Sequence, residues 1–153
     1  MKRHAMNSTV ARVLLSAVLA VLAVAGPAGV ALAEDLPSEQ VKAMERALPE
    51  APRVMPDEPR RLLVFNLCKG YAHGVIPFAA ETFCRMGEVT GAYTATLSDA
   101  PAVFAPEVLH EYDAVLFNNT TGTLFDDPIL RESFLDFVRG GGGVVGVHAA
   151  TDC

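Results

Sequence analysis

Residues 140–153 read Gly-Gly-Gly-Gly-Val-Val-Gly-Val-His-Ala-Ala-Thr-Asp-Cys, and the fold is decided there. The glycines follow a helical pattern that runs through Arg139, so the first of them reads as the helix cap. Val144 to Val147 is a short apolar run, the pattern of a buried parallel strand. Gly146 and Ala150 then flank His148 at the point where the chain must leave the strand. A small-x-nucleophile-x-small turn of this kind lifts one reactive side chain above the carboxyl end of a sheet. Here the lifted residue is His148. A phosphate-binding loop does not fit, because such loops run strand, glycines, helix. These glycines follow a helix and precede a strand.

Working back from that strand, the same alternation repeats. Arg61–Leu67 is almost wholly apolar and reads as the first strand, covered on both faces. Residues 68–74 form a loop with Tyr71 and His73 between Gly70 and Gly74. A helix is predicted over Val75–Met86, with Pro77 in its first turn, Phe78, Thr82, Phe83 and Met86 facing inward, and Gly87 ending it. Ala92–Leu97 is the second strand, Ser98–Tyr112 a connector, and Asp113–Phe117 the third strand. A polar loop follows at Asn118–Gly122. Asp127 caps a helix whose first residue is Pro128, and Leu130, Phe134, Phe137 and Val138 recur at helical spacing. Strands alternating with helices through short loops predict a three-layer α/β/α parallel sheet with right-handed crossovers. In the flavodoxin-like strand order second-first-third-fourth, ligands lie outside the carboxyl ends of the strands. The loops after the first, third and fourth strands should therefore meet.

The N-terminal part differs in character. Met1–Ala33 has a basic start (Lys2, Arg3, Arg12), an apolar run from Val13 to Ala25, a Gly26-Pro27 break and a small-x-small end at Ala31-Leu32-Ala33. That is the pattern of a cleavable signal peptide, and it predicts a periplasmic or secreted protein with no stable membrane insertion after cleavage. Residues 34–59 are a lead-in. Val41, Met44 and Leu48 share a helical face, and Pro49, Pro52, Pro56 and Pro59 then impose an extended tether. The domain is expected over residues 60–153. Without Lys2, Arg3 and Arg12, nine basic residues remain against eighteen acidic ones, a formal charge of −9. An acidic chain with no basic run is unsuited to nucleic acid. Cys68, Cys84 and Cys153 are odd in number and fit neither a zinc motif nor a disulfide framework. A 68–84 bridge stays open, Cys84 reads as a small buried hydrophobe, and Cys68 lies at a strand end.

Four stretches carry a resemblance in order: Gly70-Tyr71-Ala72-His73 after the first strand, the run Tyr112–Gly122, the helix Leu135–Arg139 with its glycines, and Gly143–Asp152. In these the chain resembles the ThuA-like family of trehalose utilisation, whose fold is like that of class I glutamine amidotransferases. The resemblance spans residues 60–153 and implies the N-terminal part of such a domain. It also implies that the position of the amidotransferase nucleophilic cysteine is His148, so thiolate glutaminase chemistry is not expected. A carbohydrate or keto-sugar ligand is expected instead.

The candidate catalytic residues are accordingly His148 and Asp152, with His148 as proton-transfer or binding group. Tyr71, His73, Asn118, Asn119, Thr120 and Thr151 are candidate substrate-binding residues, since amides and hydroxyls offer both donors and acceptors to sugar hydroxyls. The bland alternatives stand beside these. His148 could simply hold its turn, His73 be a solvated loop residue, and the Asn118-Asn119 pair cap a strand end. His73, His148 and Asp152 could form a two-His-one-carboxylate site for a divalent metal, although their spacing is not that of a metal motif; the cofactor is otherwise unknown. The function expected is binding or transformation of a sugar derivative. The alternatives are a non-catalytic carbohydrate-binding accessory module or an inactive truncated chain.

Overall fold

The computed structural model describes residues 36–153; the signal peptide expected over residues 1–33 lies outside them. Four parallel strands form one sheet: β1 (Arg61–Phe65), β2 (Thr94–Ser98), β3 (Ala114–Asn118) and β4 (Gly143–Val147), in the order β2-β1-β3-β4. The parallel α/β sheet is the one expected from the alternation of apolar runs and helices, and its order is that of the flavodoxin-like fold. The register places Leu63 opposite Val115 and Val115 opposite Val144. Two helices are crossovers between strands: α2 (Ile76–Thr90) links β1 to β2, and α4 (Pro128–Arg139) links β3 to β4. A 3-10 turn (Pro101–Phe104) and the short α3 (Pro106–Leu109) carry the chain from β2 to β3. No described helix is long and apolar enough to cross a membrane.

The alternation of side chains along each strand divides the core in two. On one face Leu63, Phe65, Val115 and Phe117 pack against Phe104, Leu109 and Leu124, with Leu130, Phe134 and Phe137 of α4 against them. Aromatic rings dominate there, with Phe65 and Phe104 edge to face at 4.8 Å and Phe117 and Phe134 at 5.3 Å. On the other face Leu62, Val64 and Leu116 pack under Phe83 and Tyr93. The amino end of the sheet is tied by one carboxylate. Asp113 accepts from the Arg61 backbone N–H at 2.7 Å and from Arg60 Nη1 at 2.8 Å. These two contacts hold its pKa below the ordinary value, the Arg61 N–H contributing most and Arg60 next.

Several local expectations are corrected. Gly87 does not end α2, which continues to Thr90 and is closed by Gly91 at φ 66°. Gly87 is instead a packing glycine: a Cβ there would stand 2.6 Å from Tyr93 O and 2.8 Å from the Tyr93 ring. Gly140 is the C-cap of α4, as expected, but in a right-handed conformation, and Gly141, at φ 99°, makes the left-handed turn. Leu130, Phe134 and Phe137 face the core as predicted, but Val138 is exposed. β1 ends at Phe65, leaving Asn66 and Leu67 in the following loop. β4 is not the buried strand its composition suggests: Val144 and Val145 are 49% and 46% exposed. The reason is position, since β4 is the outermost strand of the sheet on that side. The lead-in helix α1 (Ser38–Ala47) does form, and it touches the domain, with Met44 buried and its sulfur 3.1 Å from Thr82 Oγ1 on α2.

Candidate functional site

The site begins with a strained turn. His148 lies at φ 53°, in the left-handed region that costs a non-glycine residue about 1–2 kcal/mol. It opens a 3-10 turn, His148–Thr151, directly after β4. The flanking small residues have a steric reason: a Cβ on Gly146 would stand 3.3 Å from Ala150 Cβ, so the turn closes only if both side chains are small. The His148 side chain is exposed.

The loops after β1, β3 and β4 converge on this turn, and Thr121 joins them. Cys68 pairs with Thr121 and Thr121 with Asp152 as single parallel bridges beyond the strand ends. The Lys69 N–H donates to Thr121 O at 2.9 Å, and the Gly122 N–H donates to Asp152 O at 2.8 Å. Thr121 Oγ1 accepts from the Gly70 N–H at 3.0 Å and lies 2.8 Å from Cys68 Sγ. Gly70 lets the loop approach this closely: a Cβ there would come within 2.8 Å of the Thr121 hydroxyl, which would have to shift. The three thiols are free, so no 68–84 bridge forms. Burial, with Glu81 and Glu88 nearby, raises the Cys84 thiol to about 11.

At the surface of this junction three rings follow one another. Tyr71 and His73 stand edge to face with centroids 4.9 Å apart, and His73 and His148 stand perpendicular at 4.6 Å. Tyr71 is 76% exposed. Thr151 and Asp152 are exposed on the 3-10 turn and just after it. Asp152 meets the rest of the site through its backbone, and no group of three or more His, Cys, Asp or Glu side chains among the described residues is arranged to hold a metal ion. A groove of about 580 Å³ reaches the elbow from the α4 face through Ala150, Thr151 and Cys153, and is lined elsewhere mainly by apolar groups such as Phe117, Phe134 and Val144, with Arg131 and Thr123 as its polar members.

The other expected residues lie beneath the surface. Asn118, Asn119 and Thr120 have 0%, 1% and 0% exposure. Asn118 Nδ2 donates inward to Asn66 Oδ1 at 2.8 Å and to Ile76 O at 3.0 Å. Asn119 Nδ2 donates to Asn118 Oδ1 at 2.8 Å, and its backbone, at φ 54°, donates to Val147 O at 3.2 Å. Thr120 Oγ1 faces Cys153 Sγ at 3.9 Å. The junction thus has an exposed layer of Tyr71, His148, Thr151 and Asp152, with His73 half-buried between Tyr71 and His148, over a buried polar layer. Thr121, buried, and Asn66, half-buried at its edge, complete that layer and are not among the candidate site residues drawn from the sequence. The available signal was Asn66 as the one polar interruption of Leu-Leu-Val-Phe-Asn-Leu.

Comparison with curated proteins gives no match, and neither does comparison with solved structures. A family model described as ThuA, trehalose utilisation, matches residues 61–153, which is the whole sheet and all three converging loops. The chain therefore belongs to the ThuA family of trehalose utilisation.

Proposed function

We propose that the junction at the carboxyl ends of β1, β3 and β4 binds a sugar derivative, such as a keto-sugar, and that His148 is its proton-transfer or hydrogen-bonding group. The observation that carries this reading is the exposed His148 at φ 53°, set ring to ring with His73. An exposed ring buries little surface to justify the cost, even with its edge-to-face contact on His73, and such strain concentrates at functional sites. An imidazole can take or give a proton near neutral pH beside a sugar hydroxyl or carbonyl. Tyr71 and His73 offer ring faces for the apolar side of a pyranose and polar edges for its hydroxyls. Thr151 and Asp152 supply an exposed hydroxyl and an exposed carboxylate next to the elbow. Membership of a trehalose-utilisation family supports a carbohydrate ligand. The proposal includes export, on the basis of the Met1–Ala33 pattern.

The test is a panel of disaccharides, oxidised to keto-sugars and unoxidised, assayed for binding and turnover with the wild-type chain and with His148→Ala. Turnover that falls by roughly 100-fold or more in the variant supports proton transfer by His148. Binding without turnover in the wild type assigns an accessory binding module. Identical behaviour of the two proteins removes His148 from the site.

A further inference from the structure

The groove of about 580 Å³ that meets the elbow turn at Ala150 and Thr151 differs in charge from the grooves around it. The chain carries eighteen acidic residues, and three other grooves each have a carboxylate in the wall: Glu132 and Asp136 in one, Glu88 in the second, Asp113 in the third. Among the described residues no carboxylate lines this one. Its polar side chains are Thr123, Thr151, the Cys153 thiol and Arg131, and every one of them can donate a hydrogen bond. Arg131 is also the exception among the basic residues of the domain. Arg60, Arg61, Lys69, Arg85 and Arg139 are each held by a carboxylate, at 2.6 to 3.1 Å. Arg131 has no carboxylate partner among the described residues, although Asp127 stands one helical turn before it, at a spacing that favours an ion pair. Asp127 Oδ1 accepts instead from the Ile129 N–H at 2.8 Å, and Arg131 lines the groove. The rest of the wall is apolar, with Phe117, Phe125 and Phe134 and with Val144 of the outermost strand.

We propose that this groove binds a small aromatic acid, with its ring against the phenylalanines and its carboxylate on Arg131. A largely apolar cleft with a few polar groups is the usual form of a small-molecule site. The polar groups decide the class of ligand. A carboxylate accepts two guanidinium N–H groups side by side and has lone pairs left for the hydroxyl of Thr123 or Thr151. A neutral or cationic ligand leaves the guanidinium unpaired. The acidic surface repels anions in general, so an uncompensated arginine over an apolar wall is what selects one here. The phenylalanine walls suit an aromatic body better than a hydroxylated one. The site is therefore distinct from the carbohydrate contacts at Tyr71, His73 and His148 and does not depend on them. Its occupant abuts the elbow turn through Ala150 and Thr151.

The chain has no tryptophan, so naphthalene fluorescence can be followed without an indole background. The experiment is an anisotropy titration of the full chain with naphthoate and with its neutral isostere naphthamide. The acid should bind about tenfold or more tightly than the amide, because only the acid makes the charge-assisted pair with Arg131. Arg131→Gln should bring the acid down to the affinity of the amide and leave the amide unchanged. Arg131→Lys should keep a preference of about threefold, since it retains the charge but not the fork. Val144→Glu puts a carboxylate into the groove wall and should abolish binding of the acid. Val145→Glu, on the opposite face of β4, should leave both ligands unchanged. Both valines are about half exposed, and urea unfolding checks that the variants fold. Equal affinities for acid and amide in the wild type overturn the inference, as does an Arg131→Gln variant that keeps the preference. A loss in Val145→Glu as large as in Val144→Glu also overturns it, since the ligand would then lie on the strand edge. So does a wild type that binds no naphthoate, and saccharide binding at His148 is untouched by any of these results.

Discussion

The strain at His148 predicts an inversion that can be measured without any ligand. At an ordinary position alanine is more stable than glycine, because glycine has more backbone freedom to lose, about 0.5–1 kcal/mol. At φ 53° the order should reverse. Alanine there carries the left-handed penalty of about 1–2 kcal/mol and glycine carries none. His148→Ala and His148→Gly both lose the ring contact with His73, so that term cancels between them. Taking about 1.5 kcal/mol for the penalty and about 0.7 for the entropy leaves His148→Gly more stable by about 0.8 kcal/mol. With a urea slope of about 1.5 kcal/mol per molar, its midpoint should lie about 0.5 M above that of His148→Ala. Gly91 is the internal control. It sits at φ 66° with open space where a Cβ would go, so Gly91→Ala should lose stability by a similar amount for the same reason. If His148→Ala is the more stable of the pair while Gly91→Ala is destabilised as expected, the elbow is unstrained, and the case for His148 loses its main support.

Two further outcomes follow from the packing and the charges. Gly87→Ala should destabilise the domain by about 1–3 kcal/mol in urea unfolding: overpacking against the Tyr93 carbonyl and ring outweighs the roughly 1 kcal/mol gain in helix propensity. A variant as stable as the wild type would mean that Tyr93 does not lie on this glycine. The Asp113 carboxylate has its folded pKa lowered below 3.8, so its contribution is fully present above that value and is lost as the pH falls through the folded pKa. Asp113→Asn should therefore be less stable than the wild type at pH 7. The difference should be modest, about two- to fivefold in the unfolding constant, since the carboxylate is more than a third exposed and screened. The gap should close below pH 4, and a gap that stays constant down to pH 2 would contradict the assignment.

How much of this was legible in the sequence depends on how local each cause is. The parallel sheet followed from four apolar runs and short connections, whereas its order came with the flavodoxin-like fold, and Asp127-Pro128 marks a helix start by its own chemistry, with Asp127 Oδ1 accepting from the Ile129 N–H at 2.8 Å. The elbow was legible because Gly146 and Ala150 crowd one another only four residues apart, which keeps both positions small. Gly87 was not, because a glycine that ends a helix and one that makes room for a returning chain look alike until Tyr93 is placed. The exposure of β4 is likewise a property of its neighbours and not of its valines. Asn66 was hidden for the same reason, since its partner Asn118 is 52 residues away. The residue types at the junction could be chosen from sequence, but their division into an exposed and a buried layer could not.

The bridge through Thr121 fixes a dimension of the site. Cys68 and Asp152 pair with Thr121 on opposite sides, so their backbones stand two strand spacings apart, about 10 Å. The imidazole rings of His73 and His148, carried by those same two loops, are only 4.6 Å apart. They close together across the interval, and a pyranose cannot pass between them. Any ligand must either lie on the joined pair or part it, so the two histidines present a single surface to it.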